Sequence, residues 1–162
     1  MTSAALDFET LYQTQWHALV RLALLLVGDR GGAEDVVQEA FLNLYRRPPA
    51  SVDSAAAYLR TSVVNGSRSV ARKRLVARKH PFAPAPDGPA ADQNMLVAAE
   101  YEHVIRALRS LPRRQREVLV LRYWSELSLA EVADALGISV GTAKSTASRG
   151  LDALERMLGG AR

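Results

Sequence analysis

The chain of 162 residues has no cysteine, which excludes disulfides, thiol nucleophiles and cysteine-ligated zinc. Its three histidines, His17, His80 and His103, lie far apart and share no ligand spacing. There is no long hydrophobic run: the most apolar stretch, "LALLLVG" at 22–28, is too short to span a bilayer. The N-terminus carries Asp7 and Glu9 and no basic region, the opposite of a secretory signal. A cytoplasmic protein without membrane insertion is therefore expected. Catalytic groupings are missing as well. Asp35 and Glu39 share a helix face, but no third acidic motif accompanies them, so a nuclease reading has little to stand on. Neither an enzyme nor a cofactor is expected. What remains is ordinary for a folded soluble protein, 48% hydrophobic and 23% charged, in one medium domain or two small ones.

The net charge of +4 is modest, but it is unevenly placed. Residues 60–79, "RTSVVNGSRSVARKRLVARK", hold seven Arg/Lys and no acid, so the rest of the chain carries about −3 by subtraction. Positive charge concentrated on one element suggests a polyanion partner. The plainer alternative is a solvated helix with a basic end.

The segment 80–94, "HPFAPAPDGPAADQN", holds four of the seven prolines and has no periodicity, so 80–95 reads as an extended, flexible linker. Both sides show helical periodicity and nothing alternates like a strand. The expected fold is all-α: two small helical domains, 1–79 and 96–162, the second a helix-turn-helix. Helices are expected over 7–27, ending at Gly28, and over 32–47, ending at Pro48-Pro49. A third starts near Ser54 and runs into the basic stretch. Further helices are expected over 96–111 and over 113–124, with Pro112 at the opening turn.

Ser128 and Glu131 have capping-box spacing ahead of "LAEVADALG", Gly137 ends that helix, and Ser139 can cap the next. Helix, short glycine turn, helix is the helix-turn-helix pattern. On the second helix Val140, Ala143, Ala147, Leu151 and Leu154 are expected to face inward. Gly141, Ser145, Ser148 and Arg149 then face outward, flanked by Thr142 and Lys144. So many small residues on a helix suggest close approach of a large partner, as in a DNA major groove about 12 Å wide. Arg149 can reach guanine, Ser145 and Ser148 can bond bases or phosphates, and Lys144 can hold a phosphate. A helical hairpin with merely solvated serines is the alternative.

Two earlier helices carry comparable patterns. In the second, Ala33, Val36, Val37, Ala40, Phe41 and Leu44 form the core face, while Leu42 falls opposite, among Asp35, Gln38, Glu39 and Arg46. In the third, Leu59, Val63, Gly66 and Val70 turn inward. Thr61, Asn65, Arg68 and Arg72 follow at +4, +3 and +4 and form one polar stripe.

Four stretches resemble bacterial sigma factors of the extracytoplasmic-function class, in the same order. "AEDVVQEAFLNLYRR" is similar to the polymerase-binding helix of that class and "AYLRTSVVNGSRSVARKR" to its promoter-melting helix. "LPRRQREVLVLRYWSELSLAEVADALG" and "ISVGTAKSTASRGLDAL" resemble the C-terminal domain. The Ala/Arg-rich composition suits an actinobacterial type. The resemblance implies that Asp35, Gln38, Glu39 and Leu42 dock on the coiled coil of the largest subunit of RNA polymerase. It implies that Thr61, Asn65, Arg68 and Arg72, with the loop at about 48–57, engage the −10 element. The helix-turn-helix residues Gly141, Thr142, Lys144, Ser145, Ser148 and Arg149 would read the −35 element. Core RNA polymerase and promoter DNA are the implied partners, and an anti-sigma factor is a further candidate because many members are held inactive by one. A stand-alone regulator binding duplex DNA as a homodimer is the alternative reading. It leaves the Leu42 face and the second basic surface unexplained.

Overall fold

A computed structural model describes residues 7–79 and 95–159, the side chains at 78, 79 and 95–101 excepted. The described elements are helices: α1 (Phe8–Val27), α2 (Arg30–Arg46), α3 (Val52–Lys79), α4 (Met95–Ser110), α5 (Arg113–Leu119), α6 (Leu129–Leu136) and α7 (Val140–Gly159). Helices α1–α3 pack into one compact unit and α4–α7 into another. The all-α expectation holds. The expected linker, 80–95, lies outside the described residues except for Met95, which already begins α4.

Caps set the boundaries of the first unit. Asp7 caps α1, accepting from the Thr10 N–H at 3.2 Å and from the Thr10 hydroxyl. These bonds, the hydroxyl's foremost, hold the Asp7 carboxyl below its ordinary pKa. Gly28 ends α1 in the left-handed region at φ 98°, its N–H bonded to the Leu24 carbonyl at 2.8 Å. Asp29 caps α2 by accepting from the Gly32 N–H at 2.8 Å, so α2 starts two residues earlier than the sequence suggests. Ser51 accepts from the Ser54 N–H at 3.1 Å, and α3 starts at Val52. The helix thus starts two residues before the expected Ser54, and 52–57, which the resemblance counts in the −10 loop, are its first turns. Their alanines favour helix, and Asp53 suits a helix N-terminus.

The core lies between α2 and its two neighbours. All six residues expected on the α2 core face, Ala33, Val36, Val37, Ala40, Phe41 and Leu44, are buried. Phe8, Tyr12 and Trp16, spaced by four along α1, gather around Phe41, with Tyr12–Phe41 centroids 4.9 Å apart and Phe8–Phe41 edge-on at 5.9 Å. From α3 come Ala55, Leu59, Val63, Val64 and Ser67. The buried Ser67 hydroxyl donates to the Val63 carbonyl at 2.7 Å, which offsets the cost of removing it from water. Gly66 is small for a reason: a Cβ there would sit 2.9 Å from Val36 Cγ1.

Arg74, inside the basic run, has a structural role. Its Nη1 donates to the Val27 carbonyl at 2.9 Å and its Nη2 pairs with Asp29. One guanidinium therefore satisfies an orphan carbonyl at the end of α1 and braces the cap of α2.

In the second unit the expected helix 113–124 forms but ends in a wider π turn, Val120–Trp124, in which the Ser125 N–H reaches the Val120 carbonyl at 3.1 Å. The Leu127 N–H then bonds the Leu121 carbonyl at 3.1 Å, and Arg122 Nη1 donates to the Leu127 carbonyl at 2.8 Å. Leu121 and Leu127 are buried, whereas Tyr123 and Trp124 are exposed.

Arg74→Ala should lower the stability of the first unit by roughly 1–3 kcal/mol, through loss of charge-assisted bonds to partly buried acceptors. Arg72→Ala, exposed two residues earlier, should stay within about 0.5 kcal/mol of the parent. Denaturation followed by Trp16 fluorescence in a Trp124→Phe background separates the two; equal midpoints would mean that Arg74 braces nothing.

Candidate nucleic-acid interface

The helix-turn-helix is built by its caps. Ser128 Oγ accepts from the Glu131 N–H at 3.1 Å while Glu131 Oε2 accepts from the Ser128 N–H at 2.7 Å, a complete capping box. Gly137, at φ 66°, turns the chain out of α6, and the Ile138 N–H returns to the Ala133 carbonyl at 3.0 Å. Ser139 Oγ then accepts from the Thr142 N–H at 3.1 Å and starts α7. Two sharp ends three residues apart fix the angle between the helices.

Every residue expected on the outer face of α7 is exposed: Gly141, Thr142, Lys144, Ser145, Ser148 and Arg149. Two of them have local bonds. The Ser139 hydroxyl donates to Thr142 Oγ1 at 2.8 Å, and the Ser145 hydroxyl donates to the Thr142 carbonyl at 3.2 Å. Lys144 and Arg149 supply the charge of this face.

The inner face differs from expectation. Ala143 and Ala147 are buried, but Val140 and Leu151 are exposed and Leu154 is half-buried. Thr146 and Gly150 are buried in their stead. Close packing against α5 explains the rotation, because a Cβ on Gly150 would come within 2.9 Å of Leu119 Cδ1 and 3.1 Å of its Cγ. The small residues therefore serve two purposes. Gly150, Ala143 and Ala147 admit neighbouring helices, whereas a Cβ on Gly141 would meet nothing nearer than Ser139 Oγ at 4.0 Å, so the outer backbone there is open.

In the first unit Asp35, Gln38, Glu39 and Leu42 are on the exposed face of α2, Leu42 with 46% of its surface free. On α3, Asn65 and Arg72 are exposed while Thr61 and Arg68 are half-buried. A groove of about 410 Å³ runs between the two helices, walled by Asp35 and Glu39 on one side and by Ser62, Asn65 and Lys73 on the other. The structure thus brings Asn65 together with Asp35 and Glu39; Gln38 and Leu42 are not among the groove's lining residues.

A second arginine cluster escaped the sequence reading. Glu117 of α5 is buried and pairs with Arg113 at 3.3 Å, an i,i+4 spacing that the sequence displays. Arg116 Nη1 donates to the Arg109 carbonyl at 3.0 Å. Burial, reinforced by the charge of Arg109, lowers the Arg116 pKa from its ordinary value.

Taken together, the arrangement offers a helix with an open, cation-bearing outer face in one unit. In the other it offers an acidic helix face beside a basic one. Neither resembles a reaction centre, and no grouping of three or more His, Asp or Glu that could hold a metal occurs among the described residues.

Gly150→Leu should destabilise the second unit by about 1–3 kcal/mol through overpacking against Leu119. Gly141→Leu should instead raise helix stability by several tenths of a kcal/mol. Thermal melts of the two variants check the contrast, and equal melting points would refute the division of the small residues into two roles.

Comparison with known proteins agrees with this geometry. Residues 11–75 match the family model described as Sigma-70 region 2, and residues 101–154 match Sigma-70, region 4. An RNA polymerase sigma-E factor of Streptomyces avermitilis is 36% identical over 155 residues, covering 94% of this chain and 86% of that protein. An ECF RNA polymerase sigma factor, SigM, of Mycobacterium tuberculosis is 35% identical over 158 residues, covering 94% and 77%. Among solved structures, the sigma factor RpoE of Bartonella quintana, crystallised with the anti-sigma factor NepR, superposes with a TM-score of 0.66. That match spans 98% of this chain and 100% of the other at 23% identity, a likeness of fold.

Proposed function

Because the chain belongs to the extracytoplasmic-function class of RNA polymerase sigma factors, we propose that its two units divide the work of promoter selection. As a sigma factor it binds core RNA polymerase and directs promoter-specific initiation of transcription. The domain of residues 1–79 docks on polymerase through Asp35, Gln38, Glu39 and Leu42 and opens the −10 region with Thr61, Asn65, Arg68 and Arg72. The domain of residues 96–162 reads the −35 element with Gly141, Thr142, Lys144, Ser145, Ser148 and Arg149, and 80–95 links the two.

The observation that carries the docking assignment is α2. Its core line is filled by six buried residues, yet Leu42 stands half-free on the opposite side among polar neighbours. Membership of the sigma-factor family, and not this face alone, disfavours a stand-alone homodimeric regulator. The chemistry of RNA synthesis belongs to the polymerase, so this chain is a non-enzymatic subunit that needs no cofactor. No helix of the described residues is long and apolar enough to cross a membrane, which accords with a cytoplasmic site of action beside polymerase. An anti-sigma factor joins the proposed partners because the Bartonella sigma factor was crystallised with one.

Co-purification with core RNA polymerase followed by run-off transcription across genomic promoters tests the whole reading. Within it, Leu42→Asp should weaken holoenzyme assembly by about 1.5–3 kcal/mol, the value of one buried leucine, without unfolding the chain. Titration of labelled protein against core enzyme measures this, and unchanged affinity would remove the surface from the scheme.

Selection from randomised −35 DNA separates the roles on α7. Arg149→Ala should relax preference at one position, since an arginine–guanine contact discriminates by about 1–3 kcal/mol. Lys144→Ala should weaken binding across all sequences and flatten the salt dependence by about one phosphate. Should Arg149→Ala select the same sites as the parent, α7 would not be reading bases through this residue.

A further inference from the structure

The polar stripe on α3 does not end in polar residues. Spacing of three or four carries the same face from Asn65 to Arg68, Arg72 and then Leu75 and Val76. Leu75 is 54% and Val76 52% exposed, a pair of adjacent aliphatic side chains on an otherwise cationic face, with Arg72 and Lys73 before them and Arg78 and Lys79 after them in the sequence. Single exposed leucines are common and need no explanation. A pair set among cations at the end of a nucleic-acid stripe is different, because cations and aliphatic groups serve different parts of the same partner.

The position of the pair is fixed. Arg74, immediately before it, is tied to the Val27 carbonyl and to Asp29. Within the described side chains, no α3 residue beyond Ser67 is fully buried, so the end of the helix is covered less than its middle. Leu75 and Val76 directly follow the anchored Arg74, and about half of each side chain's surface is free. Electrostatics selects the partner: a surface of this charge attracts phosphates, and within a nucleic acid the apolar surfaces are the faces of bases. Aliphatic side chains that wedge against base steps and unstack them are an established device of DNA-deforming proteins.

We propose that Leu75 and Val76 form an apolar wedge that lies against exposed base faces at the edge of the melted −10 region. Phosphates flanking the opening are held by the neighbouring cations. The proposal rests on the reading of α3 as the promoter-facing helix. It deepens that reading by assigning strand separation to an aliphatic contact in addition to polar base recognition at Asn65.

The test uses holoenzyme assembled from core polymerase and the full chain. Leu75→Ser, Val76→Ser and the double variant are compared with the conservative pair Leu75→Met and Val76→Ile. Probes are a closed duplex promoter and a forked promoter that is single-stranded through the −10 element. The double serine variant should bind the forked probe about tenfold more weakly, a change of 1.4 kcal/mol, and lose permanganate reactivity at the −10 thymines. Affinity for the closed duplex and for core polymerase should stay at parental values, and the conservative variants should retain opening.

Serine variants that open promoters as the parent does overturn the wedge. So do variants whose defect is weaker assembly with core polymerase, since the pair would then be a polymerase contact, and variants equally weakened on both probes. If the unmodified holoenzyme opens no promoter at all, the promoter-opening role of α3 fails first and the wedge with it.

Discussion

The first unit depends on the packing of α2 between α1 and α3. One side of α2 is filled by six buried residues, and Gly66 of α3 leaves room for Val36 to approach closely. A core this small can cover only one face of each helix. Once α2 is committed inward through Val36, Phe41 and Leu44, helical periodicity leaves Asp35, Gln38, Glu39 and Leu42 outside. The same packing sets the rotation of α3, which turns Leu59 and Val63 inward and Asn65 and Arg72 outward. The groove between the outer faces follows from those two rotations. The surface proposed to dock on polymerase and the surface proposed to meet DNA are therefore neighbours by geometry.

Much of this was legible in the sequence, because the signals were local. The capping box at Ser128, the glycines at 28 and 137 and the proline stop after α2 act within a few residues of themselves. The α2 core face was legible for a related reason: six apolar residues at helical spacing outweigh one exposed leucine. Failures came where a distant partner decided the outcome. Val140 and Leu151 look like core residues on a helical wheel, but Leu119 of α5 can approach only along the side bearing Gly150, so α7 is rotated to offer that side. Arg74 looks like any other cation of the basic run until the carbonyl of Val27 and the carboxylate of Asp29 arrive from 45 or more positions away. The sequence alone does not fix the start of α3, because Ser51 and Ser54 are equally good caps in isolation.

The electrostatic arrangement fits a protein that must hold two partners of different character. Asp35 and Glu39 give α2 an acidic outer face suited to a cationic protein surface, while the exposed cations of α3 and α7 suit the phosphates of DNA. Placing these charges on different helices offers each partner its own surface, although Asp35, Glu39 and Lys73 share one groove. Within the second unit, the buried Glu117 is paired with Arg113, and Arg116 is held by the Arg109 carbonyl. Of the α5 arginines, Arg113 keeps its head at the surface, whereas Arg114 and Arg116 each bury part of the guanidinium.

The π turn at Val120–Trp124 adds one residue to the last turn of the α5 helix. In an ordinary α-helix each residue advances the chain by about 100°, so the widened turn acts as a phase shift between everything before it and everything after it. It allows Leu121 and Leu127 both to reach the core while the intervening Tyr123 and Trp124 stay outside. The orientation of α6 is inherited from this offset, whereas the rotation of α7 is set by Leu119 against Gly150. A chain shortened by one residue here could still form every helix and keep every cap, yet α6 would start from a different side of α5. The residue count between α5 and α6 is in this sense an address for the helix-turn-helix, set by length and not by side-chain chemistry.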